Sequence, residues 1–372
     1  MFKKTLAAVA VLGAFAGSAF AANVTLYGVV DEALQYTYQN VQNQGKKNAY
    51  GMKTGAQAGN RWGLKGQEEL GNGYVAGFVL ESGFSGDDGK SAQGGRLFGR
   101  AASLYVSGGF GTLAAGHDGA LASGVGTVSY IYQYAAMGTG WGDFAGAQGI
   151  YNFSFQGRAD NALTYITPDL GGLKIYAQYS FQADGQEKPS ANDNNRYGAL
   201  GAQYKAGPFS TGFVVDVLKK AEIGDVDLDD QYTASLGASY DFEVAKVFAL
   251  AQYGKHMDAV AKNFKDVEGN AGRNAGLLHG DLEGWNLGLG VSAPVAGGKV
   301  SAQVNYVDVK DKAADSDAKF NGYGVAAAYS YPLSKRTSVY TYGAWNQLQN
   351  KEDGDKIKTK VGEFGLGLTH KF

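Results

Sequence analysis

The last twelve residues, Val361-Gly-Glu-Phe-Gly-Leu-Gly-Leu-Thr-His-Lys-Phe372, alternate in character to the final position. Phe364, Leu366, Leu368, His370 and Phe372 share one parity; Glu363, Gly365, Gly367, Thr369 and Lys371 share the other. A period of two is that of a β-strand with one apolar and one polar face. A strand ending on an aromatic, with no cap or tail to cover it, needs another strand to pair with it. Val24-Thr-Leu-Tyr-Gly-Val-Val-Asp31, near the opposite end, is the matching candidate. Joining first strand to last removes both sheet edges, the condition a sheet must meet to stand in lipid.

Ahead of that strand, residues 1–21 have the pattern of an export signal. Lys3 and Lys4 precede an apolar run from Leu6 to Ala16, and Ala19-Phe20-Ala21 fits a small-x-small cleavage site. The expectation is an exported chain of residues 22–372 forming one domain. No apolar run of about 18 residues follows, so no transmembrane helix is expected. Glycine (57), tyrosine (24) and phenylalanine (19) are abundant, and only 18% of residues are charged. Because the aromatics recur along the whole chain, disorder is excluded as the reason for the glycine. Glycine instead falls within alternating segments and at turns, where it relieves crowding in a curved sheet. Zero cysteines exclude disulfides and thiolate metal sites. A formal charge of −2, or −4 without Lys3 and Lys4, gives no basis for nucleic-acid binding or a polybasic membrane anchor.

Alternating segments fall near 24–39, 58–70, 73–85, 95–108, 111–118, 158–168, 172–184, 195–206, 208–219, 230–242, 245–257, 280–294, 298–311, 319–331, 336–349 and 359–372. Short links such as Leu70-Gly-Asn-Gly73 and Lys205-Ala-Gly-Pro208 alternate with long ones near 40–57, 86–94, 119–157, 185–194, 220–229, 258–279, 312–318 and 350–358. Tight turns on one side and long polar loops on the other describe a closed, antiparallel, all-β transmembrane barrel of 16 strands. Faces agree: Trp285, Leu287, Leu289 and Val291 oppose Asn286 and Ser292, and Ile175, Ala177, Tyr179 and Phe181 oppose Lys174, Gln178 and Ser180. Two places resist assignment. Asp31 and Glu32 cannot both face the lumen without a bulge, and 247–253 fits either phase.

Energy decides which face meets lipid, since Arg or Lys near the bilayer midplane costs about 2–4 kcal/mol there. Arg61 and Lys65 share a parity with Gln67 and Glu69, opposite Trp62 and Leu64. Arg96 and Arg100 share one parity, and Arg158, Asp160 and Thr164 oppose Leu163 and Tyr165. These charges are therefore assigned to the interior, which makes the interior a water-filled channel.

Val24-Thr-Leu-Tyr-Gly-Val-Val-Asp31, Arg61-Trp-Gly-Leu-Lys-Gly-Gln-Glu-Glu-Leu-Gly-Asn-Gly73, Leu80-Glu-Ser-Gly-Phe84, Phe110-Gly-Thr-Leu113 and Gly367-Leu-Thr-His-Lys-Phe372 resemble the general-diffusion porins of Gram-negative bacteria. The likeness is to the β-proteobacterial, neisserial-like branch and runs the length of the exported chain. It implies an outer-membrane homotrimer, one pore per barrel for small hydrophilic solutes and ions, in contact with lipid and lipopolysaccharide. It also implies a long third loop folded inward, and a terminal Phe372 strand read by the barrel-insertion machinery. The segment 119–157 falls where that constriction loop belongs. It departs from the pattern in carrying one charge, Asp143, among aromatics such as Tyr130, Tyr132, Tyr134, Trp141, Phe144, Tyr151, Phe153 and Phe155.

Arg61, Lys65, Arg96, Arg100 and Arg158 are the candidates for the positive side of the constriction, with Glu81, Asp118 and Asp143 opposite. A basic excess on the wall predicts modest anion preference. Some of these cations could equally stand above or below the neck in wide water. Catalysis has little support: His117 beside Asp118 could be half of a hydrolytic pair, but no serine completes it. His256 and His279 fall at loop edges, and His370 reads as interfacial. No metal-ligand spacing is present, Asp225-x-Asp227-x-Asp229-Asp230 lacks the glycine and closing glutamate of a calcium loop, and no cofactor is expected. A barrel hydrolase and a plugged adhesin or structural barrel are the alternatives to a channel.

Overall fold

The computed structural model describes residues 23–147, 149–153, 157–222, 229–260, 277–313, 316–352 and 354–372. The export segment 1–21, Phe155, Asp225 and Asp227 lie outside these. Seventeen strands among the described residues form one closed sheet. β1 (Thr25–Val41), β2 (Gly45–Thr54), β3 (Arg61–Gly71), β4 (Tyr74–Gly83), β5 (Ala101–Gly108) and β6 (Gly111–Gly119) precede the longest internal connection. β7 (Arg158–Ile166), β8 (Leu173–Ser180), β9 (Arg196–Ala206), β10 (Phe209–Lys219), β11 (Gln231–Asp241) and β12 (Lys246–Val260) follow it. β13 (Leu277–Val295), β14 (Gly298–Asp311), β15 (Lys319–Pro332), β16 (Thr337–Glu352) and β17 (Asp355–Lys371) complete the wall.

β1 runs antiparallel along β17 from Val29 opposite Lys371 to Val41 opposite Thr359. Gly28 and Phe372 then exchange two backbone hydrogen bonds of 3.1 Å, so the terminal residue belongs to the seam. β2 and β3 occupy a single position in the wall. β1 pairs with β2 through Glu32–Val41 and with β3 through Thr25–Val29. The barrel therefore has sixteen staves, as expected, with one of them broken at 55–60.

Asp31 holds the break. Its amide donates to Asn60 Oδ1 (2.5 Å) and its carbonyl accepts from the Gly55 amide (2.7 Å). Its buried carboxylate accepts from Tyr340 Oη (2.7 Å), the Gln57 amide (3.1 Å) and the Thr369 hydroxyl. Glu32 lies on the opposite, outward parity and accepts from Thr54 Oγ1 (2.8 Å) and Asn60 Nδ2 (2.7 Å). The two acids thus sit on different faces, and the irregularity that the sequence demanded lies in the partner strand.

Three expected boundaries change. The links read at 40–57 and 350–358 are mostly strand, because β1 with β2 and β16 with β17 stay paired almost to their turns. Only 42–44 turn between β1 and β2, and Tyr36 packs on Tyr50 across them with ring centroids 4.8 Å apart. The strand read from 95 starts at Ala101, since Gly94 and Gly95 both adopt positive φ (69° and 81°). Its outward residues are Leu104 and Val106; Ala101 and Ser103, on the parity opposite that of Arg96 and Arg100, face the lumen, opposite Glu81 and Val79. In 247–253 the odd residues face outward, with Leu250 and Gln252 buried inside.

Outside, exposed Leu163, Leu200, Phe213, Leu236, Leu289 and Leu366 belong to a continuous apolar band. About 1.5–3 kcal/mol per large side chain would be lost by leaving such a band in water. Among the described residues no helix is long and apolar enough to cross a membrane.

Candidate constriction site

The inward face carries buried amides and acids that catch the connection between β6 and β7. Tyr130 Oη donates to the Phe213 carbonyl (2.8 Å), and Tyr132 Oη donates to Gln252 (3.0 Å). The Met137 amide donates to Gln303 (3.0 Å) and Tyr151 Oη to Asn346 (2.7 Å). Asn286 Nδ2 donates to the Tyr151 carbonyl (2.5 Å). The loop is therefore folded into the barrel against the inner face of β9–β17.

Two devices fit it there. Tyr134 lies flat over Gly212 and Gly237; a methyl on Gly237 would stand 2.5 Å from its side chain. Glu363 accepts the amides of Phe144 and Ala145 on one oxygen (both 2.7 Å). Its other oxygen accepts the Asp143 amide (2.8 Å) and Gln35 Nε2 (2.7 Å). Trp141 packs edge-on against Tyr340 and Tyr342, and the Gly142 amide reaches the Ala56 carbonyl at 2.8 Å, joining the loop to the strand break.

Facing it, β3, β7 and the residue just before β5 bring three of the predicted cations together beside Glu81 of β4. Arg100 Nε bonds Glu81 at 2.6 Å, and Arg61 Nε lies 3.6 Å from the same carboxylate. Arg158 Nε donates to the Arg100 carbonyl (2.7 Å). Tyr27 Oη also donates to Glu81 (2.9 Å), and Lys65 Nζ stands 5.3 Å from the Tyr27 ring centre. Lys65 lies four residues from Arg61 toward the tight turns, roughly 13 Å along the strand. Four cations against Glu81 and Asp118 leave this side with two net positive charges.

Other candidates go elsewhere. Arg96 stands in the connection after β4 and bonds Asp160 (2.7 Å), which also binds His117 Nδ1 (2.5 Å). His117 continues the outward parity of Leu113 and Ala115, so this cluster is away from the lumen. The Asp160 hydrogen bond raises the Arg96 guanidinium further above its ordinary range. Glu81 is not opposite the arginines but between them. Asp118 turns into the loop, accepting the Gly119 amide (2.6 Å), the Thr127 amide (2.7 Å) and the Thr127 hydroxyl. Asp143 is neutralised by Lys53 at 2.5 Å.

Sequence reading missed Lys53, Tyr27 and Glu363. Lys53 was hidden in a segment read as loop. Glu363 had a usable signal, being the acid on the otherwise Gly and Thr parity of the last strand. The hydrolytic pairing fails, because His117 bonds Asp160 and the Gly99 carbonyl (3.1 Å) rather than Asp118. His256 lies within β12, bonded to Asp281 (2.7 Å), and His279 has its backbone in β13. No three His, Asp or Glu converge as metal ligands among the described residues.

A family profile described as Gram-negative porin matches residues 7–352. An outer membrane porin protein of Bordetella pertussis is 33% identical, with all of both chains covered. Outer membrane porin protein 32 of Delftia acidovorans is 33% identical over 94% of this chain and 90% of its own. The solved structure of an anion-selective porin from Comamonas acidovorans superposes with a TM-score of 0.70 at 30% identity, covering 95% of this chain and 100% of that one.

Proposed function

This chain belongs to the Gram-negative porin family, and we propose that its outer-membrane diffusion channel is narrowed between the arginine wall and the folded-in loop and prefers anions modestly. The channel passes small hydrophilic solutes and ions passively; the family and its relatives are channels, not enzymes. The observation that carries the anion reading is the unequal charge of the two sides. Arg61 and Arg100 share one carboxylate, Glu81, and Arg158 stands beside them on the Arg100 carbonyl, while the loop's acid, Asp143, is cancelled by Lys53.

The size of the effect follows from Coulomb's law. Two net charges roughly 8 Å from a permeating ion in water, screened over a Debye length of about 8 Å, separate anion from cation by roughly 0.8 kcal/mol. That is a permeability ratio of about 4, at about 1.4 kcal/mol per tenfold. Reversal potentials in a KCl gradient across a planar bilayer test this, and a cation-preferring wild type rejects it.

Residues 1–21 would act as the export signal, and the Phe372 strand as the segment recognised during barrel insertion. Homotrimer formation is favoured by Glu32, whose outward carboxylate sits under Gly86 with Thr54 and Asn60, an arrangement suited to protein contact rather than lipid. Contact with lipopolysaccharide follows from the outer-leaflet setting.

A further inference from the structure

The lipid-facing wall over β6–β10 is not uniform, and its exception has the shape of an amphiphile. Gly198 on β9 is outward-facing, and a Cβ there would have nothing within 4 Å. Its neighbours across the ladder are Tyr179 on β8 and Val217 on β10. One outward row lower come Ala177, Leu200 and Val215. The missing side chain of Gly198 and the short one of Ala177 leave an apolar groove of about 500 Å3 walled by Leu163, Tyr179, Leu200, Val215 and Val217.

The next outward row above Gly198 and Val217, toward the long loops, is Arg196 directly opposite Lys219. Like charges set face to face across a ladder repel. Both are half-buried, neither has a carboxylate in salt-bridge range among the described residues, and the buried Arg196 Nε has no hydrogen-bond partner. Asp230 directs its carboxylate at the Lys220 amide (3.3 Å), and Lys220 Nζ is taken by Asp258 (2.6 Å). Another like-charged pair, Lys310 opposite Lys319, differs: Lys310 also faces Glu283, and Lys351, beside Lys319, is bound by Asp317 at 2.6 Å.

We propose that Arg196 and Lys219 clamp a phosphate of an outer-leaflet phosphorylated glycolipid while one of its acyl chains lies in the groove at Gly198. A phosphate relieves the repulsion of the pair and supplies acceptors for Arg196. The groove fixes a chain that elsewhere would meet a wall of side chains. The occupant is a lipid rather than free phosphate because the apolar groove adjoins the cations on the bilayer side.

The test is titration of the detergent-solubilised protein with bisphosphorylated lipid A in EDTA, followed by native mass spectrometry. Dephosphorylated lipid A and inorganic phosphate form separate arms. Arg196→Gln/Lys219→Gln is expected to weaken lipid A binding at least tenfold and to erase the difference between the phosphorylated and dephosphorylated lipids. Gly198→Leu, which fills the groove, should weaken both lipids at least fivefold. The control Lys310→Gln/Lys319→Gln should change binding less than twofold. Smaller losses than these, equal loss in the control, or inorganic phosphate competing as well as the lipid would each overturn the assignment. Conductance of each variant in planar bilayers should equal wild type, which keeps this result separate from the channel reading.

Discussion

Glu363→Gln is the sharpest perturbation of the folded-in loop, because it is nearly isosteric and leaves every backbone hydrogen bond of the β1–β17 and β16–β17 ladders in place. The carboxylate is acceptor-only and receives four donors: the Phe144 and Ala145 amides on one oxygen, the Asp143 amide and Gln35 Nε2 on the other. An amide offers one acceptor oxygen, so two of these donors would face an NH2 group. Gln35 can turn toward the water of the lumen, but the Asp143 amide cannot leave without the loop. An orphaned donor costs about 1–3 kcal/mol, and the two retained bonds lose roughly 0.5–1 kcal/mol each as their charge assistance disappears. The loop should therefore be held less tightly by about 3 kcal/mol, a shift of roughly 100-fold in its docked-to-released equilibrium at about 1.4 kcal/mol per tenfold. The assay is single-channel recording, reading open-state current noise and the frequency of excursions to other conductance levels. The barrel itself should stay as heat-resistant as wild type in detergent gels. Wild-type noise and excursion frequency in Glu363→Gln would refute the latch.

Glu81→Gln removes the carboxylate that Arg61 and Arg100 share, raising the net charge of the wall from two to three. By the same screened Coulomb reasoning the anion-to-cation permeability ratio should rise about twofold, and a KCl-gradient reversal potential that moves toward cations contradicts it. Gly237→Ala sets a methyl 2.5 Å from Tyr134; overpacking of this kind costs about 1–3 kcal/mol. Its conductance should become broader and less uniform, and Gly237→Ala/Tyr134→Gly, which also removes the Tyr134 Cβ that the new methyl meets, should narrow the distribution again. An unchanged single variant would mean that the ring is not seated on that glycine.

How much of this was legible in the sequence depended on whether a residue's role is local. Alternation on β13, β14 and β17 exposed the lipid face directly, because each outward side chain is there for the same reason: oil is its solvent. Arg61, Arg100 and Arg158 could be assigned inward by cost alone. The residues that hold the loop could not. Gln252, Gln303, Asn346 and Glu363 read as ordinary polar positions of an inward face, and only the return of a distant segment makes them anchors. Arg96 was misplaced for a related reason. Its apparent parity assumed a strand running from residue 95, whereas the ladder begins only at Ala101 and Arg96 stands in the connection before it. The broken stave escaped because Asn60 replaces a ladder partner of Asp31 with its side chain, a substitution that no period of two can register.

The loop's single acid shows why the wall rather than the loop sets selectivity. Asp143 is fixed from two sides, its amide on Glu363 (2.8 Å) and its carboxylate on Lys53 (2.5 Å), and Lys53 belongs to the upper half of the broken stave. The pair cancels at the neck, so removing either member should expose the other's charge without moving the loop, which Glu363 still holds through three amides. Lys53→Met leaves one extra negative charge and should halve the anion preference roughly, since each unit charge changes the ratio about twofold under the same screening. Asp143→Asn should raise it by a similar factor. Lys53→Met/Asp143→Asn should return the reversal potential to the wild-type value. Were the double variant to keep the full shift of either single variant, the two groups would be acting through loop position instead of through charge.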